Sequence, residues 1–169
     1  MKTAIALGMS SLMLLTAFSM NTRPMADARP AFSAEIAGEI SARPTGEARF
    51  GVTPGAEGAP AVFTISLGAD AEEGSVLFTR RSGVRLSPGT YTVSDRADGT
   101  DDIRALVMTG SATRPTGVFQ GQSGSLVVAS ASDHEIRGTF RVEARGFLAA
   151  RPDAEDRPVT VAGSFSASH

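Results

Sequence analysis

The chain has 169 residues and a formal net charge of −2, from 16 Lys and Arg residues against 18 Asp and Glu residues. This balance excludes the strongly basic character typical of proteins that bind nucleic acid or an anionic membrane surface. The chain contains no cysteine, which excludes disulfides, thiolate nucleophiles, cysteine-ligated zinc and the lipid-modified cysteine of bacterial lipoproteins.

The N-terminal residues 1–28 predict a signal peptide. Lys2 supplies a positive start, residues 3–20 are mainly apolar, and Ala26-Asp27-Ala28 has the small-residue pattern of a cleavage site. We expect cleavage after Ala28, and a site after Ser19 is the alternative. An uncleaved anchor is less favoured, because a span needs about 20 apolar residues and polar residues interrupt this run. The protein is therefore expected to be exported to the periplasm or secreted, with no transmembrane segment after cleavage.

Residues 29–169 predict a single all-β domain. Short runs that alternate apolar and polar residues are separated by turn sequences such as Arg43-Pro44-Thr45-Gly46 and Ser87-Pro88-Gly89. This spacing is typical of an antiparallel β-sandwich, and a flattened antiparallel β-barrel is the alternative that the pattern leaves open. Longer surface loops are expected at 110–117 and 148–158. The ten predicted extended segments are 34–42, 47–53, 61–68, 75–80, 90–95, 103–110, 118–122, 125–131, 135–147 and 159–167.

The clearest alternation lies near the C-terminus. From Ile136 to Arg145, apolar or small residues occupy one side of the predicted strand, and Arg, Thr and Glu occupy the other. Residues 159–167 alternate in the same way. We expect these two segments to pair as an antiparallel hairpin with Phe140 and Phe165 on the buried side.

Three passages carry a resemblance to known proteins: Ser87-Pro88-Gly89-Thr90-Tyr91-Thr92-Val93, Ser123 to Arg145, and Val159 to Ala167. They resemble a group of exported bacterial all-β proteins, many of them lipoproteins. Those proteins have a PGTY-type turn and strand, an SGTLTI-type strand, an I-x-GTF-x-F return and a closing VTV-x-GSF strand. The resemblance covers about half of the chain after residue 28, and this chain lacks the lipoprotein cysteine. It implies an all-β fold and supplies no activity or catalytic residues.

Four carboxylates, Asp95, Asp98, Asp101 and Asp102, form the best candidate metal site. Together with Gly99 they could wrap a calcium ion, which takes six to eight oxygen ligands. Their spacing does not match the D-x-[DN]-x-[DN]-G calcium loop, so a solvated loop is favoured and no cofactor is expected.

Catalytic groups are sparse along the chain. Asp133-His134-Glu135 could supply metal ligands, but a polar hairpin turn is the favoured interpretation. No G-x-S-x-G elbow occurs, and Lys2 is the only lysine. Tryptophan is absent and tyrosine occurs once, which disfavours an aromatic sugar-binding cleft. We therefore expect a protein that is not an enzyme.

Arg137, Arg141 and Arg145 should share the exposed face of one strand, and Arg80, Arg81 and Arg85 form a second basic group. These arginines could bind an anionic polymer or a carboxylate ligand, or they could keep the sheet soluble and its edges unpaired. The leading hypothesis is a non-catalytic binding, structural or accessory module of the bacterial envelope or secretome. A small-ligand carrier with a β-barrel cavity is the alternative, and a carboxylate-dependent hydrolase is the second alternative.

Overall fold

The computed structural model describes residues 31–68, 71–96, 102–111, 113–150 and 157–169. These residues form ten β-strands and no helix, so this part of the chain holds no helix that could cross a membrane. The signal predicted for residues 1–28 lies outside the described residues, as does most of the predicted loop at 148–158. The strands are β1 (Phe32–Gly38), β2 (Thr45–Gly46), β3 (Ala48–Thr53), β4 (Val62–Leu67), β5 (Gly74–Arg80), β6 (Gly89–Ser94), β7 (Arg104–Ser111), β8 (Arg114–Ala131), β9 (Glu135–Leu148) and β10 (Arg157–Ser168).

All ten strands belong to one hydrogen-bonded sheet. Its order is β2-β1-β10-β3-β4-β5-β7-β8-β6, with β9 paired to both β8 and β10. The strand pairings are antiparallel except for a parallel bridge between Arg49 on β3 and Ser168 on β10, and Val93 and Ile103 form an isolated parallel bridge. The sheet folds over itself, because the rings of Phe78 on β5 and Phe140 on β9 lie 5.2 Å apart although those strands do not pair. The fold is all-β and sandwich-like, as the alternating pattern predicted.

The two faces of β9 follow the predicted alternation. Phe140, Val142 and Ala144 are buried, whereas Arg141 and Arg145 are exposed. Successive side chains of a strand point to opposite sides of the sheet, so this register places every arginine of β9 in solvent. β10 alternates in the same way, with its apolar residues in the core.

The predicted hairpin of β9 and β10 is confirmed. The two strands pair antiparallel, with Phe165 opposite Gly138 and Phe140 opposite Gly163. A Cβ at Gly138 would lie 3.0 Å from the ring of Phe165, and one at Gly163 would lie 2.9 Å from the ring of Phe140. Each glycine therefore leaves space for the aromatic ring on the neighbouring strand.

The long surface loop predicted for residues 110–117 is wrong, because this segment is a short hairpin. β7 ends at Ser111 and β8 begins at Arg114, with Gly110 opposite Pro115. The register shifts at Gly110, whose φ of +77° lies in the left-handed region that glycine adopts at little cost. Glycine and proline both occur at bulged strand positions as well as in loops, so the sequence did not separate the two structures.

The segments predicted at 118–122 and 125–131 are one strand, β8. The register between β8 and β9 shifts between Gly121 and Ser123, which is a β-bulge. A bulge adds a residue and bends a strand without ending it. As a result β8 pairs with β7 along its first half and with β6 along its second half, and β9 accompanies both halves.

The first predicted segment, 34–42, is shorter at its C-terminal end than expected. β1 ends at Gly38, and Ile40 is only half-buried although it was expected beside Ile36. The chain turns back here, and Ala42 forms an isolated bridge with Ile36. β2 then pairs with β1, within a stretch predicted to be only a turn.

Candidate functional site

The candidate metal site is only partly described. Asp95 follows β6 and Asp102 precedes β7, and between them the backbone N–H of Ser94 donates to the carbonyl of Ile103 at 3.1 Å. Asp98 and Asp101 lie outside the described residues. Within the described ranges, no three His, Asp or Glu side chains are grouped so as to hold a metal ion.

The turn between β8 and β9 is a polar hairpin turn. Ser132 Oγ accepts hydrogen bonds from the backbone N–H groups of His134 and Glu135, at 3.3 and 3.1 Å. His169 comes to the same turn, where its backbone N–H donates to the carbonyl of His134 at 3.3 Å. The sequence did not predict this approach, because the strand pairing of β9 with β10 creates it.

The acidic groups that could serve a hydrolase do not gather. β6 pairs with β8 from Ser94 opposite Ser123 to Gly89 opposite Val128. Asp95 therefore lies at one end of this strand pair, and the turn that follows β8 lies at the other. Among the described residues, Asp95 and the turn carboxylates of Asp133 and Glu135 therefore lie at opposite ends of the β6–β8 pair.

Arg137, Arg141 and Arg145 share the outer face of β9, as predicted, and we call them the arginine row. Successive arginines of this row are four residues apart, so strand geometry spaces them about 13 Å apart along β9. Arg137 pairs with Glu135, with 2.9 Å between Nε and Oε2. Glu143, the acidic residue within the row, accepts a hydrogen bond from Ser123 Oγ at 3.3 Å.

Glu135 lies at the N-terminal end of the arginine row, two residues before Arg137 on β9. Ser166 Oγ on β10 donates to its carboxylate at 2.6 Å, and Arg137 donates from its own strand. These two hydrogen bonds, that of Ser166 first, lower the pKa of Glu135 below its ordinary value of 4.5. The carboxylate is therefore held charged, and it neutralises Arg137.

Arg141 is the free cation of the row. It is exposed, and it has no hydrogen bond or ion pair with any residue that the structure describes. Its direct cross-strand neighbours are Ser125 on β8 and Ala162 on β10. Both side chains are small, so they leave the guanidinium of Arg141 uncovered. Its N–H donors are therefore open to a ligand.

The second basic group predicted from the sequence does not form one site. Arg80 is buried and lies over the ring of Tyr91, 5.7 Å from its centroid. Arg85 binds the turn before β9 through the Asp133 carboxylate at 3.0 Å. Arg81 is exposed and faces a different part of the surface. The three side chains therefore point to three separate places.

Two adjoining depressions on the outer surface of β4, β5 and β7 were not predicted from the sequence, and we call them the arginine groove. Their volumes are about 180 and 200 Å³, and they share Thr79 and Arg104. Thr79 and Arg104 lie opposite each other in the β5–β7 pair. The first depression is also lined by Val62, Arg81 and Asp102, and the second by Leu77, Ala105, Leu106 and Gln120.

Arg104 is unusual among the residues that line this groove, because part of its guanidinium group is buried without a hydrogen bond to any described residue. Its Nε atom is buried and has no hydrogen-bond partner in the described part of the chain. A buried guanidinium donor without a partner is destabilising, because it loses its bond to water and gains none from the protein. Arg81 likewise has no partner there. No spacing in the sequence signals this site, since the strand register alone brings Arg81 and Arg104 together.

Comparison of the chain with protein-family models, with curated proteins and with solved structures finds no match. The functional interpretation therefore depends on the geometry of the chain itself.

The interior gives no support to a ligand cavity. Phe63, Leu67, Phe119 and Leu126 are among the side chains that fill the space between the two halves of the sheet, and each is 0–1% exposed. The depressions that the described residues form open outward to solvent. Among the described residues, the core is therefore packed with apolar side chains, and these depressions lie on the outer surface.

Proposed function

We propose that the chain is an exported, non-catalytic binding module that uses the outer face of β9 to contact an anionic polymer. Three observations support the proposal: the N-terminal sequence has the pattern of a signal peptide, no three described His, Asp or Glu side chains are grouped so as to hold a metal ion, and the arginine row lies on an exposed sheet face.

The observation that carries this proposal is the unpaired guanidinium of Arg141. Arginine binds sulfate, phosphate and carboxylate groups through two parallel N–H donors. Arg141 has this capacity unused, on a strand flanked by β8 and β10, whose side chains beside it are small. A polymer with regularly spaced anionic groups could follow the row and place one group on Arg141.

Acidic residues near the arginine row should keep its affinity for an anionic polymer modest. Glu135 and Glu143 lie on the same face and offset part of the positive field. Exposed charge pairs contribute about 0.2–1 kcal/mol each, and salt screens them. Binding should therefore weaken as ionic strength rises.

Binding of dextran sulfate, with neutral dextran as the control polymer, tests the proposal. We expect Arg141→Ala to weaken dextran sulfate binding about fivefold, which corresponds to the loss of about 1 kcal/mol. Arg114→Ala is the matched control, because Arg114 is an exposed arginine at the start of β8, away from the row. Equal weakening by the two variants, or no preference for dextran sulfate over dextran, would contradict the proposal.

A further inference from the structure

The arginine groove lies on β4, β5 and β7, apart from the arginine row on β9. We infer that the groove binds a small carboxylate with a short apolar tail. The inference rests on the unpartnered guanidinium of Arg104, on the position of Arg81 and on the side chains that line the two depressions.

The polar half of the groove suits an anion. Arg104 takes part in both depressions, and its Nε is buried without a partner among the residues described here. Arg81 lines the first depression with it, and no described carboxylate forms an ion pair with either. Among the described residues that line the groove, Asp102 is the one acidic side chain, against the two guanidinium groups of Arg81 and Arg104. A carboxylate oxygen could accept the hydrogen bond that Arg104 leaves unmade.

The apolar half of the groove suits a tail rather than a bare ion. Leu77 and Leu106 lie directly opposite each other on β5 and β7, and both are only half-buried. Val62 adds a third aliphatic side chain beside Arg81. An inorganic anion would leave this aliphatic surface in water, whereas an aliphatic tail would cover it.

The volume of the groove limits the size of the ligand that it can hold. The two adjoining depressions have volumes of about 180 and 200 Å³, so the groove as a whole is at the low end of the roughly 300–1,000 Å³ of sites for drug-sized molecules. Thr79, which lines both depressions and lies opposite Arg104, adds a hydroxyl that can donate to a carboxylate oxygen. The ligand class is therefore a short-chain or small branched carboxylic acid.

Titration of the purified protein with hexanoate tests this inference, with hexanamide as the neutral analogue and acetate as the analogue without the tail. We expect saturable binding of hexanoate at millimolar concentration, by calorimetry and by methyl chemical shifts confined to Val62, Leu77 and Leu106. Hexanamide and acetate should each bind about tenfold more weakly.

Two variants separate the charge from the apolar surface. Arg104→Gln should abolish hexanoate binding, and circular dichroism should show an unchanged fold. Leu106→Ser should keep acetate binding and lose the preference for hexanoate. Arg141→Ala is the control, since Arg141 lies outside the groove, and it should bind hexanoate like the unchanged protein.

Three results would overturn the inference. The first is hexanamide binding as tight as hexanoate binding, and the second is full hexanoate binding by Arg104→Gln. The third is phosphate binding at least as tight as hexanoate binding, which would mean that the groove takes an inorganic anion and no tail. Because the polymer test depends on Arg141, failure of the groove leaves the function proposed for β9 unaffected.

Discussion

Phe140 lies at the centre of the packed interior. Its ring centroid is 6.4 Å from that of Phe32, 5.2 Å from that of Phe78 and 6.5 Å from that of Phe165. These rings come from four different strands on both halves of the folded sheet, so one side chain joins the two halves. With no cysteine in the chain, such contacts replace the cross-links that disulfides would supply.

Replacing Phe140 by alanine should therefore lower the free energy of unfolding by about 3–5 kcal/mol, through lost burial and a cavity. Arg141→Ala, at the next residue but on the opposite face, should change it by less than about 0.5 kcal/mol. Urea denaturation measures both values. Equal midpoints for the two variants would mean that the faces of β9 are assigned wrongly.

Glu135 gives the fold a dependence on pH. Hydrogen bonds from Ser166 and Arg137 lower its pKa in the folded state, so its stabilising effect is present above the ordinary value of 4.5 and disappears as pH falls through the lowered value. We expect Glu135→Gln to be less stable than the unchanged protein at pH 7, and we expect the difference to shrink on acidification below pH 4.5. Thermal unfolding of both proteins from neutral to acid pH measures this, and a difference independent of pH would exclude the charged hydrogen bonds as its cause.

At the scale of strands, the β9–β10 hairpin depends on two glycines that face aromatic rings. A Cβ at Gly138 would also lie 2.2 Å from the carbonyl oxygen of Val127 on β8. A methyl group there cannot be placed without moving the backbone of a neighbouring strand. The glycine thus fixes how closely β8, β9 and β10 approach one another.

Gly138→Ala should cost about 1–3 kcal/mol, the usual range for overpacking. Gly51→Ala is the matched control, because a Cβ at Gly51 on β3 would meet nothing within 4 Å. That control should be neutral or stabilising by up to about 1 kcal/mol, since alanine loses less backbone freedom than glycine. If the two variants have the same melting temperature, the close contact of Gly138 is not a determinant of the hairpin.

The sequence predicted those parts of the fold that depend on alternation alone. Period-2 patterns predicted the two faces of β9 and β10 and their pairing. The structure has the same alternation, because one face of each strand is buried in the core. The ends of strands were less predictable. The residues around Gly110 and Gly121 form bulges, and a bulge contains the same residue types as a turn.

Of the two candidate sites, the sequence predicted the one that lies on a single strand and not the one that depends on strand pairing. The arginine row was predicted because its three members share one strand, and the strand period fixes their common face. The arginine groove was not predicted, because Arg81 follows β5 and Arg104 begins β7, and only the register of β5 with β7 brings them to one depression. Residue spacing along the sequence does not reveal which residues of two strands lie opposite each other, so it could not predict this shared depression.

At the scale of the whole molecule, the N-terminal residues remain a prediction. Removal of residues 1–28 would leave Arg29 as the first residue, directly before the first described strand. We expect the protein isolated from the exporting cell to have the intact mass of residues 29–169. A mass that retains the first 28 residues would contradict the proposed signal peptide, and a start at residue 20 would favour the alternative site.

The pairing of β1 with β10 has a consequence for how the chain is made. Phe32 lies opposite Phe165, so β1 acquires the partner that covers its whole length only when the last strand has been synthesised. Contacts between distant parts of a chain form slowly, because the entropy of closing a long loop opposes them. The sheet is therefore completed only once the last strand of the chain has been synthesised. A protein that crosses a membrane as a thread, as the proposed export requires, benefits from this delay, since a sheet completed too early could not pass.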